Sequence, residues 1–289
     1  MNRALSLAFV AVIGSSAFAT YPNQTTDSFF TLVGMVGGSG TFAGSGTVIS
    51  PNHVLTARHV TGNFWHRSPS GSGVDMSFQA VSRLNHPVAD LAILTFAPNT
   101  FSSYIRPIYQ NMLGTATTMV GFGLTGVARA DGTGYNDAGG AGVRRSARNT
   151  ADARAAVNLG GGITNSVSLF YDLDGATGVP GDSNTLGGGD PIVGEGGIMF
   201  GDSGGAWVID TGGGNWRLVG VNSFVVNVGG SGGNGGNSIF MDWGDQGGAV
   251  DVNFYSQWIE TNAPVPEPAS MIVLGLGIAA LAARRRKKA

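Results

Sequence analysis

Gly201-Asp202-Ser203-Gly204-Gly205, read with Leu55-Thr56-Ala57-Arg58-His59 from the other end of the chain, decides how these 289 residues fold. A serine hydroxyl is a weak nucleophile unless an adjacent base takes its proton. When it attacks a carbonyl, preformed donors must meet the oxygen that becomes negative. Glycines around Ser203 let the backbone turn sharply and bring amides close to a substrate with no side chain in the way. The fold must then bring His59 to Ser203 from far away in sequence.

Residue order narrows the architectures. Gly201-x-Ser203-x-Gly205 also fits the nucleophile elbow of α/β-hydrolases, whose histidine follows the serine. Here the histidines are His53, His59, His66 and His86, all before Ser203. An acid-first order has only Asp27 to draw on upstream of His59. What remains is His, then Asp, then Ser. Asp90 is the preferred acid because it opens Asp90-Leu-Ala-Ile-Leu-Thr-Phe96, a run that reads as a strand. A buried carboxylate at a strand start can fix the imidazole tautomer and stabilise the imidazolium. Asp75, in the turn-like Gly71-Ser-Gly-Val-Asp75, is the rival.

These residues resemble the trypsin/chymotrypsin family, and the resemblance continues in order along the chain. Gly44–His59 is similar to the family's strand, turn, strand and catalytic histidine, and Asp90-Leu-Ala-Ile-Leu to its aspartate segment. Val120-Gly-Phe-Gly-Leu-Thr125 resembles the Gly-Trp-Gly segment, and Leu218–Phe224 the strand lining the substrate cleft. Val252–Ile259 looks like the closing helix. The resemblance implies two six-stranded antiparallel β-barrels with a short C-terminal helix. It implies His59, Asp90 and Ser203 as catalytic residues, and the N–H groups of Gly201 and Ser203 as the oxyanion hole. It also implies a primary pocket with Gly197 at its base, Ile198 beside it and Ser223, Phe224 and Val225 as its wall. No carboxylate stands at that base and Val225 replaces a glycine, so small or medium apolar residues are expected before the scissile bond. Glu195 lies close in sequence. Gly44 and Val60 stand where the family often has a disulfide, Arg58 where a small residue is usual, and Ala206 where proline is common.

Composition agrees with an all-β chain. Forty-nine glycines and short β-type runs between Gly/Asn/Asp/Ser clusters point to strands and loops rather than helices. With no cysteine there is no disulfide, thiol nucleophile or zinc–thiolate site. No histidine pair has metal-ligand spacing, so no metal is expected. No other cofactor is expected either. His53 is expected exposed in a hairpin turn, His66 at the surface and His86 in a loop. Arg144-Arg145 is expected in an exposed loop open to nicking, and Gly229–Gly236 reads as a flexible loop. Tyr171–Asp182 places Asp172, Asp174 and Asp182 in a glycine-rich loop, where oxygen ligands suit Ca²⁺, but the glutamate of an EF-hand register is missing.

Both ends read as targeting segments. Arg3, the apolar stretch Ala4–Ile13 and Ala17-Phe-Ala19 form a secretory signal over residues 1–19, removed by signal peptidase. Residues 20–263 form the protease-like domain, and 264–289 a sorting region. There Val265-Pro-Glu-Pro268, the apolar Met271–Ala283 and Arg284-Arg-Arg-Lys-Lys288 resemble the PEP-CTERM signal of Gram-negative bacteria. That signal implies an exosortase partner, transient membrane association and a secreted or cell-surface destination. Met271–Ala283 is expected as a short transmembrane segment with the basic tail on its cytoplasmic side, although thirteen apolar residues fall short of the ~20 of a comfortable span. The body between the targeting segments keeps ten basic and seventeen acidic residues, a net charge near −7, which excludes the basic footprint of a nucleic-acid binder.

The function expected is a secreted serine endopeptidase acting on a protein or peptide through an acyl-enzyme. Because His59 must be neutral to act as base, activity should fall below about pH 6–7 through one ionisation. The alternatives are an inactive surface adhesion or matrix-binding protein on the same barrels, and an esterase with the same chemistry. In the family a newly cut N-terminus pairs with the aspartate before the serine, here Asp202. Signal cleavage would leave Thr20 as that terminus.

Overall fold

The chain alternates β-branched and apolar runs with tight Gly/Asn turns, and the computed structural model is accordingly built almost wholly of strands. It describes residues 28–68, 72–129, 134–175, 184–187, 191–228 and 242–264. The signal segment, Gly229–Gly236, Asp182 and the sorting region beyond 264 lie outside the described residues. No helix among the described residues is long and apolar enough to cross a membrane.

The first sheet contains β1 (Val33–Gly37), β2 (Gly44–Ser50), β3 (His53–Thr56), β4 (Phe64–Arg67), β5 (Met76–Gln79), β6 (Ser82–Asn85) and β7 (Ala92–Thr95). Their order is β5-β4-β1-β2-β3-β7-β6, with every pairing antiparallel. After β8 (Ala116–Gly121) comes a separate hairpin, β9 (Thr125–Ala128) with β10 (Tyr135–Gly139). The second sheet then adds β11 (Arg145–Thr150), β12 (Ala153–Val157), β13 (Ser166–Asp172), β14 (Ala206–Asp210), β15 (Trp216–Val226) and β16 (Gln246–Asp251). Its order is β11-β8-β14-β15-β16-β13-β12. Helix α1 (Ser256–Asn262) follows.

Six strands per barrel were expected and seven are seen, and a bend explains the difference in both. β5 and β6 are consecutive and sit at opposite ends of the first sheet. The two residues joining them are bonded to both sides: Ala80 N donates to Asn63 O (2.8 Å) and Val81 N to Thr95 O (2.7 Å). One strand therefore pairs with β4 along its first half and β7 along its second, and its bend curls the sheet shut. The second sheet repeats the device. β11 and β12 meet at Ala151-Asp152, whose amides donate to Thr115 O (3.1 Å) and Phe170 O (2.8 Å). Closing a sheet in this way removes the open edges that invite pairing with other chains.

Each curled sheet buries one face on itself. Val36, Val48, Val54, Trp65, Leu94 and Phe96 fill the first; Met119, Leu169, Tyr171, Trp207 and Val219 fill the second. A third cluster, including Ile49, Leu55, Leu91, Val120, Val221 and Val250, lies between them and takes Ile259 from α1. That third layer positions the site, because the residues that precede His59, follow Asp90 and follow Ser203 all belong to it or adjoin it.

Three surface expectations are corrected. The turn after β2 consists of Pro51-Asn52 alone, so His53, the first residue of β3, already pairs with Ser50 of β2. It is buried, its Nδ1 lies 2.7 Å from Ser50 Oγ, and burial lowers its pKa. His66 is also buried on β4, bonded through Nδ1 to Ser77 Oγ (2.8 Å) and through Nε2 to Gly38 O (3.0 Å). Arg144 is buried and donates to Ser68 O (2.6 Å), while Arg145 donates to Gly123 O and Gly140 O from β11. The Arg144-Arg145 bond is thus held in structure rather than displayed in a loop. His86 does lie between strands, with its ring 4.8 Å from that of Tyr255 and 5.0 Å from that of Trp258.

Candidate active site

β3 ends at Thr56, and the tight turn Ala57–Val60, with Val60 N donating to Ala57 O (3.2 Å), presents His59 with 40 % of its side chain exposed. Asp90 lies two residues before β7, the antiparallel neighbour of β3, and is completely buried. Its Oδ1 accepts from the His59 backbone N–H at 3.0 Å and its Oδ2 faces His59 Nδ1 at 2.7 Å. Ser223 Oγ from β15 donates to the same Oδ2, and Asp90 N donates to Ser166 Oγ. Burial pushes the Asp90 carboxyl up. The hydrogen bonds from His59 and Ser223, together with the attraction of His59, outweigh this and hold it below the ordinary value. An ionised Asp90 keeps the proton of His59 on Nδ1 and leaves Nε2 as the lone-pair acceptor.

The turn carrying Ser203 is wedged between the two sheets. Ser203 O accepts from Ser45 N (2.7 Å), Ser45 Oγ donates to Gly201 O (2.9 Å), and Phe122 N donates to Ser45 Oγ (3.0 Å). Gly204 has φ +84° and packs so closely that a Cβ there would collide with Ser45 O and Thr56 Oγ1 and lie 3.0 Å from Ala57 N. Only glycine meets both demands. The serine turn therefore rests on the two residues that lead into the His59 turn. Within it, the amides of Asp202 and Gly204 are committed to Met199 O and Asn222 O. Those of Gly201, at φ +97°, and of half-buried Ser203 have no acceptor among the described residues.

Asp202 is fully buried beside this turn. Its two oxygens accept from Gly123 N (2.7 Å) and Met199 N (2.8 Å). Burial drives its pKa up to about 7, against those two bonds and the nearby Arg145 charge. Thr20, the terminus that cleavage after residue 19 would leave, lies outside the described residues.

Gly197 and Ile198 are buried in the segment leading to Ser203, and Ile198 N donates to Tyr171 Oη (2.7 Å). The Ser223 hydroxyl is turned onto Asp90. Phe224 stacks edge-on with Phe170 (5.2 Å), and Val225 pairs in register with Gly247. Asp75 is committed to Arg67, whose Nε reaches its Oδ1 at 3.0 Å. Asp172 accepts from Thr185 N and Oγ1 and from Leu186 N. Among the described residues no group of three metal-ligating side chains comes together.

Two arginines that sequence reasoning passed over brace the His59 turn in this disulfide-free chain. Arg83 donates to Gly62 O (2.9 Å), Arg58 O (3.1 Å) and Ala57 O (3.3 Å). Arg58 donates to Pro87 O and Gly162 O (both 3.0 Å) and to His86 O (3.2 Å), tying that turn to the loop before Asp90 and to the second sheet. The only sequence signal was Arg58 in a place where a small residue is usual. Hydrogen bonds from a charged donor contribute about 1.5–3 kcal/mol, and a stripped carbonyl keeps its desolvation cost. Arg83→Met keeps the apolar stem and loses all three bonds. It should cost about 2–4 kcal/mol in urea denaturation, and an unchanged midpoint would show that the turn holds itself.

Residues 264–287 match the model of the PEP-CTERM protein-sorting motif. The motif implies recognition by an exosortase and export to the surface or beyond in Gram-negative bacteria. No curated protein sequence is significantly similar to the chain. Among solved structures, the apo protease domain of MamO from Magnetospirillum magneticum superposes with a TM-score of 0.49 at 18 % identity, covering 80 % of this chain and 97 % of that one. Two curled antiparallel half-barrels followed by a short C-terminal helix make this chain chymotrypsin-like in architecture.

Proposed function

We propose that the chain is an exported serine endopeptidase that hydrolyses peptide bonds through His59, Asp90 and Ser203. The observation that carries this reading is the buried Asp90 carboxylate, which receives His59 Nδ1 and Ser223 Oγ on one oxygen while the serine turn packs against the residues leading into His59. Ser203 Oγ attacks the peptide carbonyl as His59 Nε2 takes the hydroxyl proton. The carbonyl oxygen becomes anionic facing the uncommitted amides of Gly201 and Ser203, and loss of one such donor costs about 10²–10³ in rate. His59 then returns the proton to the departing amine, leaving an acyl-serine. Water, deprotonated by the same imidazole, releases the second product and restores the serine. Asp90 stays ionised throughout and stabilises the imidazolium. Removal of residues 1–19 by signal peptidase and exosortase handling of 264–289 would place this chemistry outside the cytoplasm.

The test is labelling of the purified exported protein with a fluorophosphonate, which reacts only with an activated serine, and with Ser203→Ala as control. Labelling that disappears in the variant is expected. A folded protein that stays unlabelled would turn the assignment toward a surface-binding role for the same barrels. Hydrolysis of esters without hydrolysis of peptides would turn it toward an esterase.

A further inference from the structure

We infer that Tyr171 fills the floor of the primary specificity pocket and restricts the residue before the scissile bond to glycine, alanine or serine size. The inference rests on the serine-protease reading above and adds its substrate class. Three strands of the second sheet place Tyr171 of β13, Gly247 of β16 and Val225 of β15 in one cross-strand row, since Tyr171 pairs with Gly247 and Gly247 with Val225. Paired residues of adjacent antiparallel strands face the same side, so this row is a single wall. The tyrosine leans across the glycine instead of standing beside it, because a Cβ on Gly247 would collide with Tyr171 Oη and Cζ. Past Gly247 the hydroxyl reaches Ile198 N and accepts from it at 2.7 Å.

That path crosses the space between the segment that runs from Gly197 to Ser203 and the strand that runs from Ser223 to Val225. A substrate side chain held at Ser203 would point into this space. The phenol cannot move aside easily. It is 1 % exposed, its oxygen is fixed on a backbone amide, and its ring lies against Trp207 at 5.8 Å. The next row, Phe170, Gly248 and Phe224, faces the opposite side, where the Phe224 ring covers Gly248 as Tyr171 covers Gly247. Both glycines on β16 are thus covered by aromatic rings, one on each face. Depth is set by Tyr171, and Val225 narrows only the side. Glu195 is buried with its Oε2 accepting from Ile192 N, and burial, outweighing that bond, drives its pKa up to about 8. At neutral pH it therefore presents little charge to an entering lysine or arginine.

Peptidyl diphenyl phosphonates bearing alanine, phenylalanine or lysine at the position that enters the pocket test this on the full exported chain. The wild type should react with the alanine probe at least about 100-fold faster than with the other two, in the range that pocket size alone supplies. Tyr171→Ala should reduce the alanine-to-phenylalanine ratio by at least about tenfold, whereas Tyr171→Phe, which keeps the ring, should retain it. Tyr171→Leu serves if the alanine variant does not fold. A wild type that takes phenylalanine or lysine as readily as alanine overturns the inference, as does a folded variant with an unchanged ratio. Both results leave the protease reading standing, provided a fluorophosphonate still labels Ser203. If neither phosphonates nor fluorophosphonate label the folded protein, the enzymatic reading fails and this inference with it.

Discussion

Asp90→Asn is expected to lower kcat by about 10⁴-fold at neutral pH while the protein stays folded. The size follows from how the two carboxylate oxygens are used. Oδ1 accepts from the His59 backbone N–H, and Oδ2 takes both His59 Nδ1 and Ser223 Oγ. Every neighbour on this side is a donor, so the site calls for a group with acceptors on both arms, and a carboxylate is the side chain that supplies them. An asparagine that keeps its oxygen on the His59 amide turns its NH₂ toward Nδ1. The imidazole must then carry its proton on Nε2, where it cannot accept one from Ser203. The opposite amide orientation sets an NH₂ against the His59 backbone N–H, donor against donor, and tilts the ring. Neither leaves a base aligned with the serine hydroxyl. A kcat for Asp90→Asn within tenfold of wild type would remove Asp90 from the mechanism. Because Ser203 and its amides are untouched, slow fluorophosphonate labelling should persist in this variant and be absent in Ser203→Ala.

The pairing of His59 with Asp90 was legible because both residues sit at the ends of short apolar runs that become neighbouring strands, β3 and β7. Position at a strand start also separated Asp90 from Asp75, which the structure commits to Arg67 on the hairpin of β4 and β5. The bent strands were not legible. Met76, Val81 and Leu84 are exposed on a segment that pairs first with one neighbour and then with another, so no period of two survives across the bend. Burial of His53 and His66 was hidden for a different reason. Their hydroxyl and carbonyl partners, among them Ser77 and Gly38, are supplied across strands, and the residue type alone does not announce a satisfied polar group. Tyr171 read as the start of an acidic loop because Asp172 and Asp174 follow it. In the fold it is the penultimate residue of β13, and its role emerges only when β16 brings a glycine opposite. The bonds by which the two arginines brace the His59 turn all run to backbone carbonyls at least 21 residues away, which leave no local pattern.

Stability should fall as pH rises from about 5 to 8, and Glu195→Gln should remove the largest share of the last part of that fall. Three carboxyls of the second sheet and the turns attached to it, buried Glu195 and Asp202 and half-buried Asp152, are driven up into the neutral range. Burial, reinforced by Asp174 and Asp152 and opposed by the Ile192 amide, drives Glu195 up to about 8. Burial and the Asp172 charge drive Asp152 up to about 7, and burial drives Asp202 to about 7. A carboxyl whose folded pKa lies above its unfolded value holds, between the two, a proton that the unfolded chain has released. Stability is then highest on the acid side of the window and declines as pH rises through it, at most by about 1.4 kcal/mol per pH unit for each group. Asp152 and Asp202, each at about 7, are half ionised at pH 7 and still add a smaller part above it, while burial holds His53 and His86 below the ordinary histidine value. Between pH 7 and 8 Glu195 therefore carries the largest single share of the decline, close to 1 kcal/mol. Glutamine can keep the acceptor on Ile192 N and carries no charge to desolvate. Its advantage over the wild type should be about 3 kcal/mol larger at pH 8 than at pH 5. Urea denaturation of the two proteins at pH 5, 7 and 8 measures this. Parallel curves would mean that Glu195 is already ionised in the folded protein at neutral pH, so that a charge would lie behind the Tyr171 wall after all.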